Sequence, residues 1–130
     1  MSTLTASTIK TETLTGETTA GSIAITAEGG STTTNLQHGL AKAWGQYSGS
    51  GSTYADSFNL ASATDNGTGD FTFTITNDMA NDDYAPSNIG GQNNIATHTF
   101  AAGSLRCTLA NNSDAAADGI LCLTFHGDLA

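Results

Sequence analysis

Residues 71–76 read Phe-Thr-Phe-Thr-Ile-Thr, and this strict alternation constrains the fold more than any other stretch of the chain. Successive side chains of a β-strand point to opposite faces, so Phe71, Phe73 and Ile75 share one face and the threonines share the other. The sequence shows no segment with the 3.6-residue apolar spacing of an amphipathic helix. The run therefore predicts a strand with one buried face in an all-β protein.

Other short runs of β-forming residues flank this strand. They are separated by clusters of Gly, Ser, Asn and Asp, and five of them are predicted strands: Lys42–Tyr47, Tyr54–Leu60, Ala96–Phe100, Leu105–Leu109 and Ile120–Phe125. Short strands with turn residues between them are typical of a β-sandwich or a jelly-roll-like domain. We expect such a domain over residues 37–130.

Residues 1–36 differ in composition from the rest of the chain. They contain no aromatic residue, and Thr, Ser, Glu and Gly separate their apolar side chains, so this segment cannot enclose a core of its own. It is either a disordered tail or an extended arm that packs against another chain. We predict an extended N-terminal arm whose apolar residues contact another chain, most simply another subunit: Leu4, Ile9, Leu14, Ile23 and Ile25.

The last two predicted strands are apolar on both faces. A symmetric antiparallel hairpin around residues 110–119 would place Cys107 opposite Cys122. The two cysteines would then be either free thiols, which a reducing cytosol favours, or one cross-strand disulfide. The same register leaves three apolar side chains on the other face, where we predict contact with a neighbouring subunit: Leu121, Leu123 and Phe125.

Charged residues make up only 12% of the chain, and the formal net charge is -9. The three basic residues, Lys10, Lys42 and Arg106, are far apart in sequence and form no patch for a phosphate backbone, so we expect no nucleic-acid partner. No apolar run approaches the length needed to cross a bilayer, and membrane insertion is not expected. Residues 1–10 lack the basic start and apolar core of a secretory signal, which predicts synthesis in the cytoplasm and release by lysis or inside a particle.

The stretch Asp65-Asn-Gly-Thr-Gly-Asp70 has oxygen-bearing side chains at a spacing similar to that of a calcium loop. It lacks the further acidic position and the distant glutamate that complete an EF-hand. Asn66-Gly67 beside a strand is first of all a turn signal. We therefore predict a surface turn, and a metal site at Asp65 and Asp70 is the less favoured alternative. A second acidic stretch, residues 78–83, is interpreted as a solvated loop.

The sequence does not predict an enzyme. The three histidines, His38, His98 and His126, have no metal-binding spacing, and Gly-x-Ser-x-Gly, phosphate-loop and Cys-His signatures are missing from the chain. A Ser-His-Asp triad is recognised by geometry rather than by order in the chain, so sequence leaves that alternative open. We predict no catalytic residue and no cofactor.

Two longer stretches resemble a known family. Residues 39–44 read GLAKAW, a turn rich in Gly and Ser follows, and residues 56–85 read DSFNLASATDNGTGDFTFTITNDMANDDYA. In order and composition they resemble a β module common in structural proteins of tailed bacteriophages, especially tail-fibre and virion-surface proteins. The opening STLTASTIKTETLTG is also similar to the start of such chains. Residues 45–47, Gly-Gln-Tyr, depart from the Val-Asn-Phe that is usual in the family.

The resemblance implies a homotrimeric β module on the virion surface, without catalytic residues. It also implies that five apolar side chains are core residues: Trp44, Phe58, Phe71, Phe73 and Ile75. Residues 1–36 are long enough for an anchor and too short for a fibre shaft. We therefore expect a capsid decoration (cement) protein whose N-terminal arm, with its five apolar residues, contacts the major capsid protein and stabilises the shell. A short tail fibre or receptor-binding knob of the tail is the alternative.

A fibre tip would need a receptor, for which a host surface glycan is a candidate. Aromatic side chains stack on sugars and anchor interfaces, so three tyrosines are the candidates for receptor contact: Tyr47, Tyr54 and Tyr84. A carbohydrate-binding module of a cell-surface assembly is a second alternative, which the lack of a secretion signal disfavours.

Overall fold

Short stretches of alternating side chains form strands throughout the part of the chain that the computed structural model describes, which is residue 8 and residues 10–15, 23–26, 30, 33–90 and 94–130. In chain order the elements are β1 (Ala24–Thr26), β2 (Thr33–Asn35), the helical turn α1 (Leu36–Gly39), β3 (Ala43–Ser48), β4 (Thr53–Phe58), β5 (Leu60–Gly67), β6 (Asp70–Ile75), β7 (Ala85–Gly90), β8 (Asn94–Ala101), β9 (Ser104–Ala110) and β10 (Ile120–His126). The prediction of an all-β protein is confirmed.

The chain separates into two units between Leu36 and Gln37. In the first unit, β1 and β2 form a small antiparallel hairpin in which Ile25 lies opposite Thr34. The backbone N–H of Leu36 donates to the carbonyl oxygen of Ile23 at 2.8 Å and extends the ladder by one hydrogen bond. All three side chains of β1 are exposed, so this hairpin encloses no core.

The second unit is a sandwich of two four-stranded antiparallel sheets. Sheet I has the strand order β4-β3-β10-β7, and sheet II has the order β5-β6-β9-β8. The first four strands of this unit therefore supply half of each sheet, and the last four strands complete both. The β-sandwich predicted from the spacing of short strands is confirmed.

The inner faces of the two sheets form one core. Buried and less buried residues alternate along β6, β9 and β10, as the pattern of residues 71–76 predicts for that strand. Full burial of a large apolar side chain contributes about 1.5–3 kcal/mol, so this cluster dominates the stability of the unit. The largest fully buried side chains are those of Tyr47, Phe71, Phe73, Phe125, Met79, Leu105, Leu109, Leu121, Leu123 and Cys107.

Asn59 carries the chain from sheet I to sheet II. It is the single residue between Phe58, where β4 ends, and Leu60, where β5 begins. Its φ of 57° lies in the left-handed region, which asparagine tolerates better than most residues. Its side-chain amide donates to the carbonyl oxygens of Lys42 at 2.9 Å and Asn77 at 3.1 Å. Its Oδ1 accepts from the backbone N–H of Asn77 at 2.8 Å, so the crossover is tied to two neighbouring segments.

Strands β9 and β10 do not pair with each other, and the predicted C-terminal hairpin is therefore wrong. β9 lies between β6 and β8 in sheet II, whereas β10 lies between β3 and β7 in sheet I. The connection of residues 111–119 crosses between the sheets, and Oδ1 of Asp118 accepts a hydrogen bond from the backbone N–H of Gly69 at 2.7 Å. Cys107 and Cys122 belong to different sheets, and both thiols are free.

The predicted subunit-contact face of β10 is also wrong. Leu121, Leu123 and Phe125 are at most 2% exposed and belong to the core of this chain. They lie on the uniformly apolar face of the strand, which turns inward, while the mixed face that includes Ile120 and Thr124 turns outward. These side chains are therefore not available to a neighbouring subunit.

Candidate functional site

The outer face of sheet I consists of the side chains that point away from the core. In β3, Gly45 and Tyr47 are buried, whereas Trp44 and Gln46 are exposed. The inner side is closely packed at this point, because a Cβ atom on Gly45 would lie 2.8 Å from Cδ1 of Leu60. The alternation of β3 therefore directs its small residues and Tyr47 inward and its tryptophan outward.

Trp44 and Phe58 form an exposed aromatic pair on this outer face. They lie directly opposite each other in the register of β3 and β4, and they are 40% and 54% exposed. Their ring centroids are 6.5 Å apart, and the ring planes differ by 23°. Rings in direct face-to-face contact would be about 3.5–4.0 Å apart, so these rings are too far apart for full face-to-face contact, and both side chains keep exposed surface. We call this pair the Trp44–Phe58 platform.

Polar side chains border the platform on two sides. One step along the strands, Gln46 lies opposite Asp56, and the Gln46 amide donates to Sγ of Cys122 at 3.8 Å. Across the sheet, Thr124 of β10 lies opposite Trp44. The sequences of the four strands of sheet I contain no Lys or Arg. The platform is therefore next to a carboxylate, an amide and a hydroxyl, without a basic side chain from its own sheet.

The outer face of sheet II holds an ion pair among hydroxyl groups. Arg106 donates to Asp70 through Nε, at 2.8 Å from Oδ1, and through Nη2 to Oδ2. Asn66 donates to Oδ1 of Asp70 at 3.3 Å and to Oγ1 of Thr72 at 2.9 Å. The hydrogen bonds from Arg106, and then from Asn66, lower the pKa of Asp70, and the carboxylate in turn raises the pKa of Arg106. Asp70 is thus ionised and pairs with Arg106 between two neighbouring strands of sheet II.

The Asp65–Asp70 run connects β5 to β6, as the turn interpretation predicts. Gly67 and Gly69 supply positive φ values of 133° and 69°, which glycine adopts without steric cost. Oδ1 of Asp65 accepts from the backbone N–H of Gly67 at 2.9 Å. Within the described ranges, no three His, Cys, Asp or Glu side chains come together as metal ligands. A metal site at Asp65 and Asp70 gains no support from this geometry.

The tyrosines predicted to contact a receptor are not on an open surface. Tyr47 and Tyr84 are 2% and 6% exposed, and the Tyr84 hydroxyl donates to the carbonyl oxygen of Ser104 at 2.8 Å. Tyr54 is half-buried and donates to the carbonyl oxygen of Ser62 at 3.1 Å. Burial raises the pKa of Tyr84 to about 12 and also raises the pKa of Tyr54. The prediction is wrong for Tyr47 and Tyr84, which are core residues.

The five apolar residues predicted to lie in the core are buried on sheet II and exposed on sheet I. Phe71, Phe73 and Ile75 are buried as expected, whereas Trp44 and Phe58 are exposed. The outward orientation of Trp44 could have been predicted from the residues that alternate with it in β3. Ala43 and Gly45 flank it, and small residues on the buried side of a strand let a neighbouring side chain such as Leu60 fill the core.

The predicted contact residues of the N-terminal arm fall into three groups. Leu14 and Ile25 are 61% and 53% exposed. Ile23 is partly buried. Leu4 and Ile9 lie outside the described residues. Leu14 and Ile25 thus present apolar surface that a partner can cover.

The two histidines whose side chains the structure describes, His38 and His126, do not form an enclosed site. Nε2 of His38 lies 3.1 Å from Oδ1 of Asp128, and the two side chains are 61% and 57% exposed. His126 is the last residue of β10 and is half-buried. The side chain of His98 lies outside the described residues. The His38–Asp128 pair is an open surface contact, which by itself supplies no nucleophile.

Comparison with protein families, with characterised proteins and with solved structures finds no significant match. Among the residues that the structure describes, no helix is long and apolar enough to span a membrane. Function is therefore inferred from the residues and geometry of this chain.

Proposed function

We propose that this chain is a non-enzymatic structural protein of a tailed-bacteriophage virion, and that it decorates and stabilises the capsid as a homotrimer. The observation that carries this proposal is the exposed apolar surface of the N-terminal unit at Leu14 and Ile25. Burial of apolar surface contributes about 25 cal/mol for each Å² removed from water. A partner surface, such as the major capsid protein, would cover these side chains and gain that energy.

The resemblance of residues 39–44 and 56–85 to phage virion modules supports the same assignment. These two stretches include residues of β3–β6 and the loop that leads to β7, so they contribute to neighbouring strands of both sheets.

A decoration protein of this kind would act by mass action. It binds the assembled shell and not the dissociated shell subunits, and binding therefore stabilises the assembled state. At a free concentration 100-fold above Kd, each site adds about 2.7 kcal/mol to the stability of the shell. No chemical step is required, which agrees with the prediction of a protein without catalytic residues or cofactors.

A receptor-binding knob of the phage tail is the second candidate. The exposed Trp44–Phe58 platform favours it, because aromatic side chains with open faces are frequent anchors of binding surfaces. The two candidates differ in copy number, since a decoration protein covers the shell and a tail knob occupies only the tail.

Quantitative mass spectrometry of virions purified from the phage that encodes this chain separates the candidates. We expect a molar ratio to the major capsid protein near parity. A ratio of a few per cent would place the protein on the tail and overturn the decoration role. Its absence from purified virions would overturn both candidates.

The role of the N-terminal unit has its own test, in which recombinant protein is sedimented with capsids stripped of it. We expect the double change Leu14→Ser and Ile25→Ser to weaken binding at least tenfold. Leu40→Ser is the matched control, because Leu40 is 53% exposed in the other unit, as Ile25 is in the first. Equal binding by the double variant and the control would refute a contact through the arm.

A further inference from the structure

We propose that the Trp44–Phe58 platform binds a neutral oligosaccharide by stacking on the C–H faces of its pyranose rings. This activity goes beyond the proposed function, because stabilisation of a shell does not require it. It would give the virion surface an adhesive site for glycans.

The arrangement of the two rings suits a flat saccharide. Trp44 and Phe58 are cross-strand neighbours whose side chains share the outer face of one sheet, and their ring planes differ by only 23°. The face of an aromatic ring carries partial negative charge, and the axial C–H groups of a pyranose carry partial positive charge. Two nearly parallel, half-exposed rings with centroids 6.5 Å apart therefore offer aromatic surface on which a saccharide can stack.

The polar groups beside the rings suit sugar hydroxyls. Asp56 and Gln46 lie one step along β4 and β3, which is about 6.8 Å from the row of the platform, and Thr124 lies in the same row. Oδ1 of Asp56 accepts the backbone N–H of Ser57 at 2.8 Å, so the carboxylate is held in place. An apolar surface with a few fixed hydrogen-bonding groups is the usual composition of a small-molecule site.

Charge selects a neutral ligand over an anionic one. The strands of sheet I supply no Lys or Arg, Asp56 lies next to the platform, and the chain has a net charge of -9. Lys42, two residues before Trp44, is buried, and its Nζ donates to the carbonyl oxygen of Leu40 at 3.1 Å. The exposed Asp56 carboxylate therefore disfavours phosphorylated or carboxylated polymers at the platform. A neutral glycan pays no such cost, and its hydroxyls can donate to the Asp56 carboxylate.

The size of the apolar area favours a saccharide over a second copy of this chain. An aromatic side chain presents about 150–250 Å² when fully exposed. With Trp44 at 40% and Phe58 at 54% exposure, the platform offers about 200 Å², whereas a stable protein interface buries about 800 Å² on each partner. Among the side chains of these strands that the structure describes, the other exposed large apolar one is that of Ile120, and the row that contains Gln46 and Cys122 separates it from Trp44.

Trp44 is the only tryptophan of the chain, so its fluorescence reports directly on the platform. The experiment titrates the full chain with three neutral hexasaccharides: cellohexaose, maltohexaose and the hexamer of N-acetylglucosamine. We expect a saturable blue shift of the emission with at least one of them. Phe58→Ala should weaken binding about tenfold, which corresponds to about 1.4 kcal/mol of stacking energy.

Phe100→Ala is the matched control, because Phe100 is 37% exposed on sheet II and should leave the titration unchanged. No saturable response to any of the three sugars at millimolar concentration would overturn the proposal. An emission shift that depends on protein concentration alone would assign this face to a second copy and would also overturn it. Neither result alters the copy number of the chain in virions, so the two proposals fail independently.

Discussion

Replacement of Phe73 and of Phe58 by alanine compares the same side chain on the inside and the outside of the sandwich. Phe73 is 0% exposed, and its ring centroid lies 5.3 Å from that of Tyr47 and 6.3 Å from that of Tyr54. Phe73→Ala removes this burial and leaves a cavity, which costs about 3–5 kcal/mol. Phe58 is 54% exposed and buries less than half of its surface, so Phe58→Ala should cost about 1 kcal/mol.

Urea denaturation followed by circular dichroism measures both free energies of unfolding. The m value should stay unchanged, and the midpoint of Phe73→Ala should fall well below that of Phe58→Ala. Each curve is measured at two protein concentrations tenfold apart, so that any stabilisation by association is recognised. An equal loss of unfolding free energy in the two variants at both concentrations would refute the conclusion that Phe58 lies on an exposed outer face of sheet I.

Three further predictions test individual residues. Asn59→Ala should lower the free energy of unfolding by about 2–4 kcal/mol, because alanine is strained in the left-handed conformation and lacks the side-chain hydrogen bonds of Asn59. In the same urea assay, the control Asn112→Ala in an exposed turn should lower it by less than about 0.5 kcal/mol. Burial raises the pKa of Cys107 to about 12, so a thiol reagent at pH 8 should leave this cysteine unmodified until urea unfolds the chain. The same reagent should modify the partly exposed Cys122 in the native protein. Rapid modification of Cys107 in the native protein would contradict its burial. The pKa of Asp70 is lower in the folded chain than in the unfolded chain, so its stabilisation is present above about pH 4 and is lost as the pH falls through the folded pKa. Asp70→Asn should cause a small loss of thermal stability at pH 7 that shrinks as the pH falls below about 4, and a loss that does not change with pH would contradict the ion pair as its cause.

The sequence predicted the strands well where one face is uniformly apolar. Phe71, Phe73 and Ile75 alternate with threonines, and only one orientation buries a large apolar surface, so both the strand and its inner face follow from the pattern. The pattern did not indicate β7 at all. That strand contains Pro86 and lies at the edge of sheet I, where a residue without an N–H is tolerated, and its short polar sequence resembles a loop.

The orientation of β3 was harder to predict because both of its faces carry an aromatic ring. Trp44 and Tyr47 are three residues apart and therefore point in opposite directions, and hydrophobicity alone favours the tryptophan for the core. Packing decides otherwise, since Gly45 and Tyr47 share the inner face, where Leu60 closes over the glycine. The exposed tryptophan is thus a consequence of how the inner face is filled.

The mistaken pairing of β9 with β10 had a different cause. Strands that are consecutive in sequence are usually neighbours in a sheet, which favours pairing of β9 with β10. Cys107 and Cys122 also lie at equal distances from residues 110–119, as the two strands of a symmetric hairpin would place them. The sequence of residues 111–119 contains no pattern that indicates a crossover between the two sheets. The evidence lies in long-range contacts, such as the hydrogen bond from Gly69 to Asp118, which no single-strand pattern contains.

The strand order also limits what the resembling segment can do alone. Residues 39–85 supply two adjacent strands to each sheet, and each pair is completed by two strands from residues 85–126. Without β10, the inner face of β3 loses the neighbour that carries Leu121, Leu123 and Phe125 to the core. Two-stranded sheets are marginally stable in water, so residues 39–85 depend on the four later strands of this chain. Residues 39–85 therefore supply the crossover at Asn59 and the platform on sheet I, while β7–β10 complete both sheets and make the sandwich stable.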